Sequence, residues 1–499
     1  MNHPNSMAPK RSGSTLLDVT DNTWGSDALN SSASLGYGST DNESFDSEAG
    51  GQSMLTSSDP STTTNGSTVL GAALNFTNSI VGAGCIGYGG AVANSGGLVS
   101  IVLIVLFAMM SKASYDLIIE LGLEYHVASY EALGSRACGM PGRIAVVLSK
   151  TIFAFGGMVA FMVVVRDNFS PACQGLLGVH HKNELLSNLL GDETWTTVFL
   201  CTVVMLPLSL LRDVSFLERF SGAKIFIFLG ICAAVVYFYF ALPPVPEEEA
   251  GSFQERWLDI KPGVIECMGT FIYGFVAQHT VNIVFRSLKT SNRNSRGWAG
   301  VSSISVTLAF IIFLSLGIFS YMTYWDATSS DLLHQYPDVP LVHLSQLCLS
   351  LAILFTYPMN LFSVRELVVA GLFSPSKEDN IEQPKEFENL LNRKTLQDDE
   401  NPIELSWTTH ALLTLVLWFL SLVLAISPLS LGDVLNLIGC ISGSLIAFIL
   451  PALFSYRLNG WDHKLFVCVT LFLTGCFVGV FGTYQGLVGM IHKSQNSLS

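Results

Sequence analysis

The residues best suited to chemistry form a run of small and polar side chains inside an apolar segment, Asn75-Phe76-Thr77-Asn78-Ser79-Ile80-Val81-Gly82-Ala83-Gly84-Cys85-Ile86-Gly87-Tyr88-Gly89-Gly90. Each glycine weakens a helix by about 1 kcal/mol relative to alanine, so a break is expected here. A helix broken inside a membrane frees N–H groups for a carboxylate and C=O groups for a cation. Close helix packing is the alternative role for such glycines, and it is the better explanation for Gly439 and Gly443, which lie four residues apart. Packing does not require the neighbouring amides and hydroxyls, which favour a binding site.

A second polar stretch, residues 269–282, lies in a later apolar run. Polar groups in the middle of a membrane are costly enough to be functional candidates. The candidate substrate contacts in this stretch are Tyr273, Phe275, Gln278 and His279. An imidazole ordinarily titrates near neutrality, so His279 could carry a coupling proton, or it could be a neutral histidine that hydrogen-bonds between helices.

A third stretch places Thr356 two residues before Pro358. The proline removes a backbone donor, so a freed carbonyl and a hydroxyl oxygen could bind a hard monovalent cation. The hydroxyl could equally bond back to its own helix.

Eleven apolar runs of about 20 residues or more must position these stretches, and each is long enough to cross a hydrocarbon core of roughly 30 Å. Long apolar runs must be helical in lipid, because the bilayer offers no water to the backbone. The sequence predicts an all-α, polytopic membrane protein with spans at 68–92, 97–121, 143–166, 195–212, 222–243, 263–286, 298–325, 338–373, 405–427, 429–456 and 463–491.

The two glycine-containing polar stretches are separated by five spans. This spacing is what an inverted repeat of five plus five helices predicts, with one extra helix at the end. No residue-level repeat accompanies it, so the symmetry is a hypothesis about spacing.

The composition excludes several classes of function. Half of the residues are apolar, 13% are charged and the mean hydropathy is +0.47, which is too apolar for a soluble enzyme. The net charge of −14 argues against a nucleic-acid partner, since phosphate binding needs clustered Lys and Arg. Neither a Cys/His metal pattern nor a nucleophile triad stands out. We expect no catalytic residues and no resident cofactor.

The positions of Lys and Arg predict the orientation in the membrane. With the N-terminus inside, 18 of these residues fall on the cytoplasmic side and five on the other. The predicted domains are a disordered cytoplasmic tail at 1–67, a transmembrane domain at 68–491 with a cytoplasmic loop at 375–403, and a short extracytoplasmic C-terminus at 492–499. Asn168-Phe169-Ser170 is a glycosylation sequon just outside the third span.

Several motifs in this order carry a family resemblance. At these residues the chain resembles the sodium-coupled neutral amino acid transporters (solute carrier family 38 type), a branch of the amino acid/auxin permease superfamily. The resemblance covers roughly residues 68–491. Its motifs are Asn75 to Gly84, Ser129-Tyr130-Glu131-Ala132-Leu133-Gly134, Leu206 to Asp213, Thr356-Tyr357-Pro358-Met359 with Val364-Arg365-Glu366, Gly439 to Pro451 and Gly482-Thr483-Tyr484.

The resemblance implies a leucine-transporter type of fold, alternating access and an amino acid as the substrate. It implies that the substrate carboxylate meets Gly82, Ala83 and Gly84, and that Asn78, the Val81 carbonyl and Thr356 form a sodium site. Many relatives have Cys-His in the sixth span, where this chain has Ala277-Gln278 before His279. Some members of the family use protons, so the coupling ion is sodium or a proton.

The expected function is secondary active transport of neutral amino acids at the plasma membrane or at a vacuolar or lysosomal membrane. The alternative is an amino acid sensor on an internal membrane that signals through its N-terminal tail to a cytoplasmic partner. The tail is acidic and rich in Ser and Thr, which motivates this alternative, although it contains no recognisable peptide motif.

Overall fold

The regular structure of the protein is helical, as the sequence predicts. A computed structural model describes residues 66–177, 192–212, 224–246, 251–373, 406–460 and 464–498. Within these ranges the elements are α-helices and short 3-10 or π turns, and one isolated bridge joins Ser67 to Leu288. The predicted loop 375–403 and almost all of the predicted tail lie outside these ranges.

Seventeen α-helices follow one another in the described residues. They are α1 (Val69–Ile80), α2 (Tyr88–Ser95), α3 (Gly97–Glu124), α4 (Tyr130–Cys138), α5 (Met140–Leu177), α6 (Glu193–Leu200), α7 (Leu206–Leu210), α8 (Lys224–Ala241), α9 (Met268–Gly274), α10 (Gln278–Ser287), α11 (Ser295–Tyr324), α12 (Pro340–Phe373), α13 (Trp407–Ala425), α14 (Leu431–Ile438), α15 (Leu450–Asn459), α16 (Leu465–Phe477) and α17 (Thr483–Leu498).

Eight helical stretches in the described part of the chain are long and apolar enough to cross a membrane, or nine if α1 and the segment Ala83–Ser95 count as one bent span. The multi-pass architecture is therefore confirmed. The other two predicted runs contain shorter helices, namely Thr194–Leu210 and the pair α9 and α10. The count of eleven spans and the five-plus-five repeat stay predictions.

The first apolar run is broken where the glycines begin. Thr68 caps α1 by accepting a hydrogen bond from the Gly71 N–H at 3.1 Å. Val81 and Gly82 then adopt extended backbone angles, with φ −77° and −150° respectively. The next helical segment, Ala83–Ser95, lies at 56° to α1. The predicted break in this run is confirmed.

Helix α5 is longer than the predicted third span, 143–166, so the sequon does not lie outside the helix as predicted. Helix α5 continues to Leu177, so Asn168 lies inside it and is fully buried. Its Nδ2 donates to the Val164 carbonyl at 3.0 Å and to Asp331 Oδ2 at 2.7 Å. A side chain held in this way is not available for glycosylation in the folded protein.

The ends of the transmembrane domain also differ from the prediction. Helix α17 continues past residue 491 to Leu498. At the other end, the Ser67 N–H donates to the Ser287 carbonyl at 2.7 Å, and the Lys289 N–H donates to the Ser67 carbonyl at 3.0 Å. Ser67 is therefore held by two backbone hydrogen bonds to the end of α10 and the residues after it.

Glycines allow α9 to approach the chain that follows α14. A Cβ on Gly439 would lie 1.8 Å from the Gly269 carbonyl oxygen, which leaves no room for a side chain. The Gly269 N–H also donates to Asn436 Oδ1 at 2.9 Å. This contact is the close packing that the sequence predicted for Gly439.

We predict that Gly439→Ala destabilises the protein by about 1–3 kcal/mol, because the added methyl forces the two backbones apart. The measurement is the thermal unfolding midpoint of the purified protein. Gly230→Ala is the matched control, since it also lies in a helix and its Cβ would have nothing within 4 Å. Equal midpoints for the two variants would contradict the packing role of Gly439.

Candidate functional site

The break after α1 presents backbone groups of both polarities. The Val81 N–H still donates to the Thr77 carbonyl at 2.8 Å, and the Cys85 N–H donates to the Gly82 carbonyl at 3.2 Å. The first N–H groups of a helical turn have no acceptor within the turn. The amides of Gly82, Ala83 and Gly84 are therefore the donors that this break offers, and the last carbonyls of α1 are the acceptors.

A second break separates α9 from α10 at residues 275–277. The Phe275 N–H donates to the Ile272 carbonyl at 3.0 Å, and the helical bonds resume when the Thr280 N–H donates to the Ala277 carbonyl at 3.0 Å. Between these two turns the helical ladder is interrupted. The two glycine-containing polar stretches, residues 75–90 and 269–282, are thus both interrupted helices.

Two buried tyrosines satisfy carbonyls near this second break. The Tyr88 hydroxyl, from α2, donates to the Phe271 carbonyl at 2.9 Å. The Tyr115 hydroxyl, from α3, donates to the Phe275 carbonyl. Both rings are fully buried, so these bonds fix α9 against α2 and α3 in a region without solvent.

The two breaks touch at Gly84 and Tyr273. A Cβ on Gly84 would lie 2.7 Å from Cδ1 of the Tyr273 ring and 3.4 Å from the Gly274 Cα. Tyr273 is only 9% exposed. Gly84, which is predicted to bind the substrate carboxylate, therefore lies directly against Tyr273, which is predicted to contact the substrate through its side chain. The two residues leave no gap between them.

Helix α5 and helix α12 complete the walls of this contact. The Phe153 ring lies 5.1 Å from the Tyr273 ring and 5.7 Å from the His279 ring, measured between centroids. A Cβ on Gly157 would lie 3.4 Å from the Tyr273 hydroxyl and 3.5 Å from Asn360 Nδ2. We call Gly84, Phe153, Gly157, Tyr273, His279 and Asn360 the central cluster.

Three members of the central cluster were missed by the sequence analysis. Phe153 looks like any other apolar residue of a membrane helix, and only the structure shows that it touches Tyr273. Gly157 follows Gly156, and a pair of adjacent glycines in a membrane helix is a usable signal. Asn360 is an amide two residues after Pro358, so its position beside a helix-loosening proline is a usable signal, as it is for Thr356.

Two of the predicted side chains face other neighbours. The Gln278 Nε2 donates to the Ser114 Oγ at 3.3 Å, so this amide faces α3. The Phe275 ring packs against Phe313 of α11, with ring centroids 4.9 Å apart. Their predicted contact with substrate is not tested by this arrangement.

An ion pair lies one helical turn from the central cluster. The Lys150 Nζ is 2.5 Å from Glu131 Oε1, and Lys150 is 8% exposed. Burial alone would raise the pKa of the Glu131 carboxyl, but the Lys150 ammonium more than offsets this and holds the pKa below its usual value. Glu131, which belongs to the short helix α4, therefore neutralises Lys150 beside Phe153.

The predicted cation ligands retain oxygen lone pairs. The Thr356 hydroxyl donates to the Ala352 carbonyl at 2.7 Å, which is the bond back to its own helix that the spacing allowed. A hydroxyl that donates its hydrogen in this way keeps its lone pairs for a cation. The Val81 carbonyl lies at the C-terminal end of α1, where the helix dipole is negative.

A comparison with known families matches these elements as one unit. The family model described as "transmembrane amino acid transporter protein" matches residues 65–491. The chain belongs to this family. The matched region contains both helix breaks, the central cluster and the Lys150–Glu131 pair.

The family consists of membrane transporters for amino acids, which is consistent with a protein that is not an enzyme. It also supports an amino acid as the substrate and the lipid bilayer as the surroundings of the transporter. The sensor interpretation concerns the tail, of which the structure describes only Gly66 and Ser67, and it stays a prediction.

We predict that Gly84→Ala lowers the initial rate of uptake by the transporter by at least tenfold, because the new methyl would overlap the Tyr273 ring. The measurement is uptake of a panel of L-amino acids into proteoliposomes, normalised to reconstituted protein. Gly230→Ala is the control, because Gly230 lies in α8 outside the proposed site and its Cβ would have nothing within 4 Å. Equal losses in the two variants would contradict a specific role for the Gly84–Tyr273 contact.

We also predict that Lys150→Met and Glu131→Gln each reduce uptake strongly, since each leaves a buried charge without its partner. The double variant Lys150→Met with Glu131→Gln removes both charges, so it should recover a substantial part of the lost rate. The measurement is uptake together with thermal stability for the three variants. Additive losses in the double variant would show that the two residues act independently.

Proposed function

We propose that this protein is a symporter that moves neutral amino acids across a membrane together with sodium or a proton, by alternating access. The observation that supports this most is the contact between the two interrupted helices at Gly84 and Tyr273. Irregular backbone in a membrane is tolerated where it lines a binding cavity. Closing two such breaks around a solute, and then opening them to the other side, is a transport cycle.

In this proposal the substrate carboxylate binds the amide N–H groups of Gly82, Ala83 and Gly84, at the positive end of the second half of the first span. The aromatic rings of Phe153 and Tyr273 border the same space, and they suit an uncharged side chain. The nearby Lys150 is neutralised by Glu131, so this pair presents no net charge to attract an acidic or basic substrate.

The coupling cation binds between α1 and α12. Its ligands are the Asn78 side chain, the Val81 carbonyl and the Thr356 hydroxyl. Cation binding there would favour one arrangement of the two helices, and substrate binding would allow the change to the other. Coupling then requires that the ion binds the two arrangements with different affinity.

The proposed function goes with a definite arrangement of the spans in the membrane. We propose eleven spans, of which the first ten form the inverted five-plus-five repeat, with the N-terminus in the cytoplasm and the chain close to the sodium-coupled neutral amino acid transporters. The distribution of Lys and Arg along the sequence supports this orientation.

The proposal is tested by reconstituting the full chain in proteoliposomes and measuring uptake of a panel of amino acids under a sodium gradient alone and a proton gradient alone. We expect accumulation of small neutral amino acids above equilibrium with one of the gradients. Vesicles without a gradient and vesicles with Gly84→Ala protein are the controls. Identical uptake with and without both gradients would rule out symport.

We predict that Thr356→Val raises the sodium concentration for half-maximal uptake by roughly tenfold, a loss of about 1.4 kcal/mol in ion binding. Valine keeps the shape of threonine and removes the ligand oxygen. Thr356→Ser, which retains the oxygen, is the matched control and should resemble the wild type. Asn78→Ala should weaken ion activation in the same way. Unchanged sodium dependence in Thr356→Val would remove Thr356 from the cation site.

A further inference from the structure

The turn between α11 and α12, residues 328–336, packs on two elements around the first break. A Cβ on Gly90 of α2 would lie 2.8 Å from the Ser330 Cα. A Cβ on Gly432 of α14 would lie 2.9 Å from the Ser330 Cβ. The turn therefore covers the start of α2 and the start of α14, and displacing it would uncover both.

A buried carboxylate fastens this turn to α5. Asp331 is only 5% exposed. Its Oδ2 accepts a hydrogen bond from Asn168 Nδ2 at 2.7 Å, and its Oδ1 accepts one from the Leu333 N–H at 3.2 Å. Both donors are uncharged, and within the described residues no cation is in direct contact with the carboxylate.

The burial of Asp331 disfavours the ionised form of its carboxyl. Burial and the neighbouring Asp167 carboxylate raise the pKa of Asp331 to about 7, although the bonds from Asn168 and Leu333 and the charge of Arg166 lower it. Arg166 directs its donors to Asp167 at 2.6 Å and to the carbonyls of Ala425 at 2.6 Å, Ser427 at 3.1 Å and Leu429 at 3.2 Å.

The nearest ionisable groups of α12 and α14 have partners of their own, and the histidine on the turn itself is exposed. On α12, His343 Nε2 lies 2.5 Å from Asp338 Oδ1. On α14, Asp433 is held by the Ser430 hydroxyl at 2.6 Å and by Lys493 at 2.7 Å. His334, on the turn itself, is exposed.

The amide that holds Asp331 also offers an unused acceptor. The Oδ1 of Asn168 is buried and has no hydrogen-bond partner in the part of the chain that the structure describes. A carboxylate cannot use this oxygen, because it has no hydrogen to donate, whereas a protonated carboxyl can.

We propose that Asp331 and Asn168 form a proton-binding site, and that a proton bound there holds the 328–336 turn closed over α2 and α14. This inference rests on the proposed function only for its effect on transport. The site is separate from the central cluster and from the proposed cation ligands. It gives the protein a pH-dependent step even when the transported ion is sodium.

The direction of the pH effect follows from the difference in the pKa of Asp331 between the closed turn and the open turn. An exposed aspartate has a pKa near 3.9, so the closed turn binds the proton more tightly than an open turn with a solvated carboxylate. Protonation therefore favours the closed turn, and ionisation favours the open one. Raising the pH to about 7 should open the turn, and a further rise should add little.

The experiment measures how fast a maleimide labels Ser330→Cys in the otherwise complete chain, held in lipid nanodiscs, from pH 5.5 to 8.5. Rates are divided by those of the denatured protein at the same pH, which removes the intrinsic effect of pH on the thiol, and the chain without Ser330→Cys gives the background. We expect the normalised rate to rise up to about tenfold between pH 6 and 8, with a plateau above that.

Three variants on this background decide the outcome. Asp331→Asn, which cannot ionise, should label slowly at every pH. Asp167→Asn removes a repelling charge, so the plateau should begin at lower pH. Asp326→Asn, a 73% exposed side chain before the turn, should keep the wild-type curve. A wild-type curve in Asp331→Asn overturns the proposal. If that variant does not fold, an unshifted plateau in Asp167→Asn overturns it.

Uptake of L-alanine and L-glutamine by the same variants in proteoliposomes separates this inference from the proposed function. Labelling that follows pH without any uptake of a wider amino acid panel would leave the proton site standing and remove the transport proposal. Amino acid uptake together with a labelling rate that does not depend on pH would remove the proton site and leave the transport proposal standing.

Discussion

Backbone polar groups freed in the middle of a membrane must find partners inside the protein, and this constraint determines how the two interrupted helices are held. Leaving such a group unsatisfied in an apolar medium costs several kcal/mol. At the break between α9 and α10, the hydroxyls of Tyr88 and Tyr115 supply two of the missing partners. At the break after α1 the amides of Gly82 to Gly84 are left as donors, and a solute carboxylate is a partner of the right charge.

Glycine makes this arrangement possible because it allows rings and backbones to approach closely. Tyr273 fills the space where a Gly84 side chain would be, and Tyr88 fills the space beside Gly274. The Gly269–Gly439 contact then seats α9 against the chain after α14. Glycines such as Gly84 and Gly274 therefore have two effects. They weaken the helices, and they leave the space that the tyrosine rings occupy.

The fold class and the first break could be predicted from the sequence because both depend on local composition. Twenty apolar residues require a helix in lipid, and five glycines among residues 82–90 weaken one. The length of α5 could not be predicted in this way. Arg166, Asp167 and Asn168 look like the end of a span, but Asn168 is buried because a turn distant in sequence brings Asp331 to it.

The central cluster was predictable only in part, for the same reason. Gly84 and Tyr273 stand out because glycine and a polar aromatic are unusual in their runs. Phe153 does not, because its role depends on which ring it touches. Likewise, Lys150 lies inside an apolar run, and its partner Glu131 lies in the loop helix before it, so the spacing of residues on one helix face could not pair them.

The Ser67–Leu288 bridge links the two interrupted helices at a second place. It joins the residue before the α1 cap to the end of α10 through two backbone hydrogen bonds. Gly66 is needed there, since its Cβ would lie 2.7 Å from the Leu288 carbonyl carbon. Gly84, which follows α1, and Tyr273 of α9 are in contact at the breaks, so the two interrupted spans meet at two places. A movement that carries α1 and α10 together can therefore keep the bridge while the central cluster opens, whereas a movement that separates them must break its two hydrogen bonds.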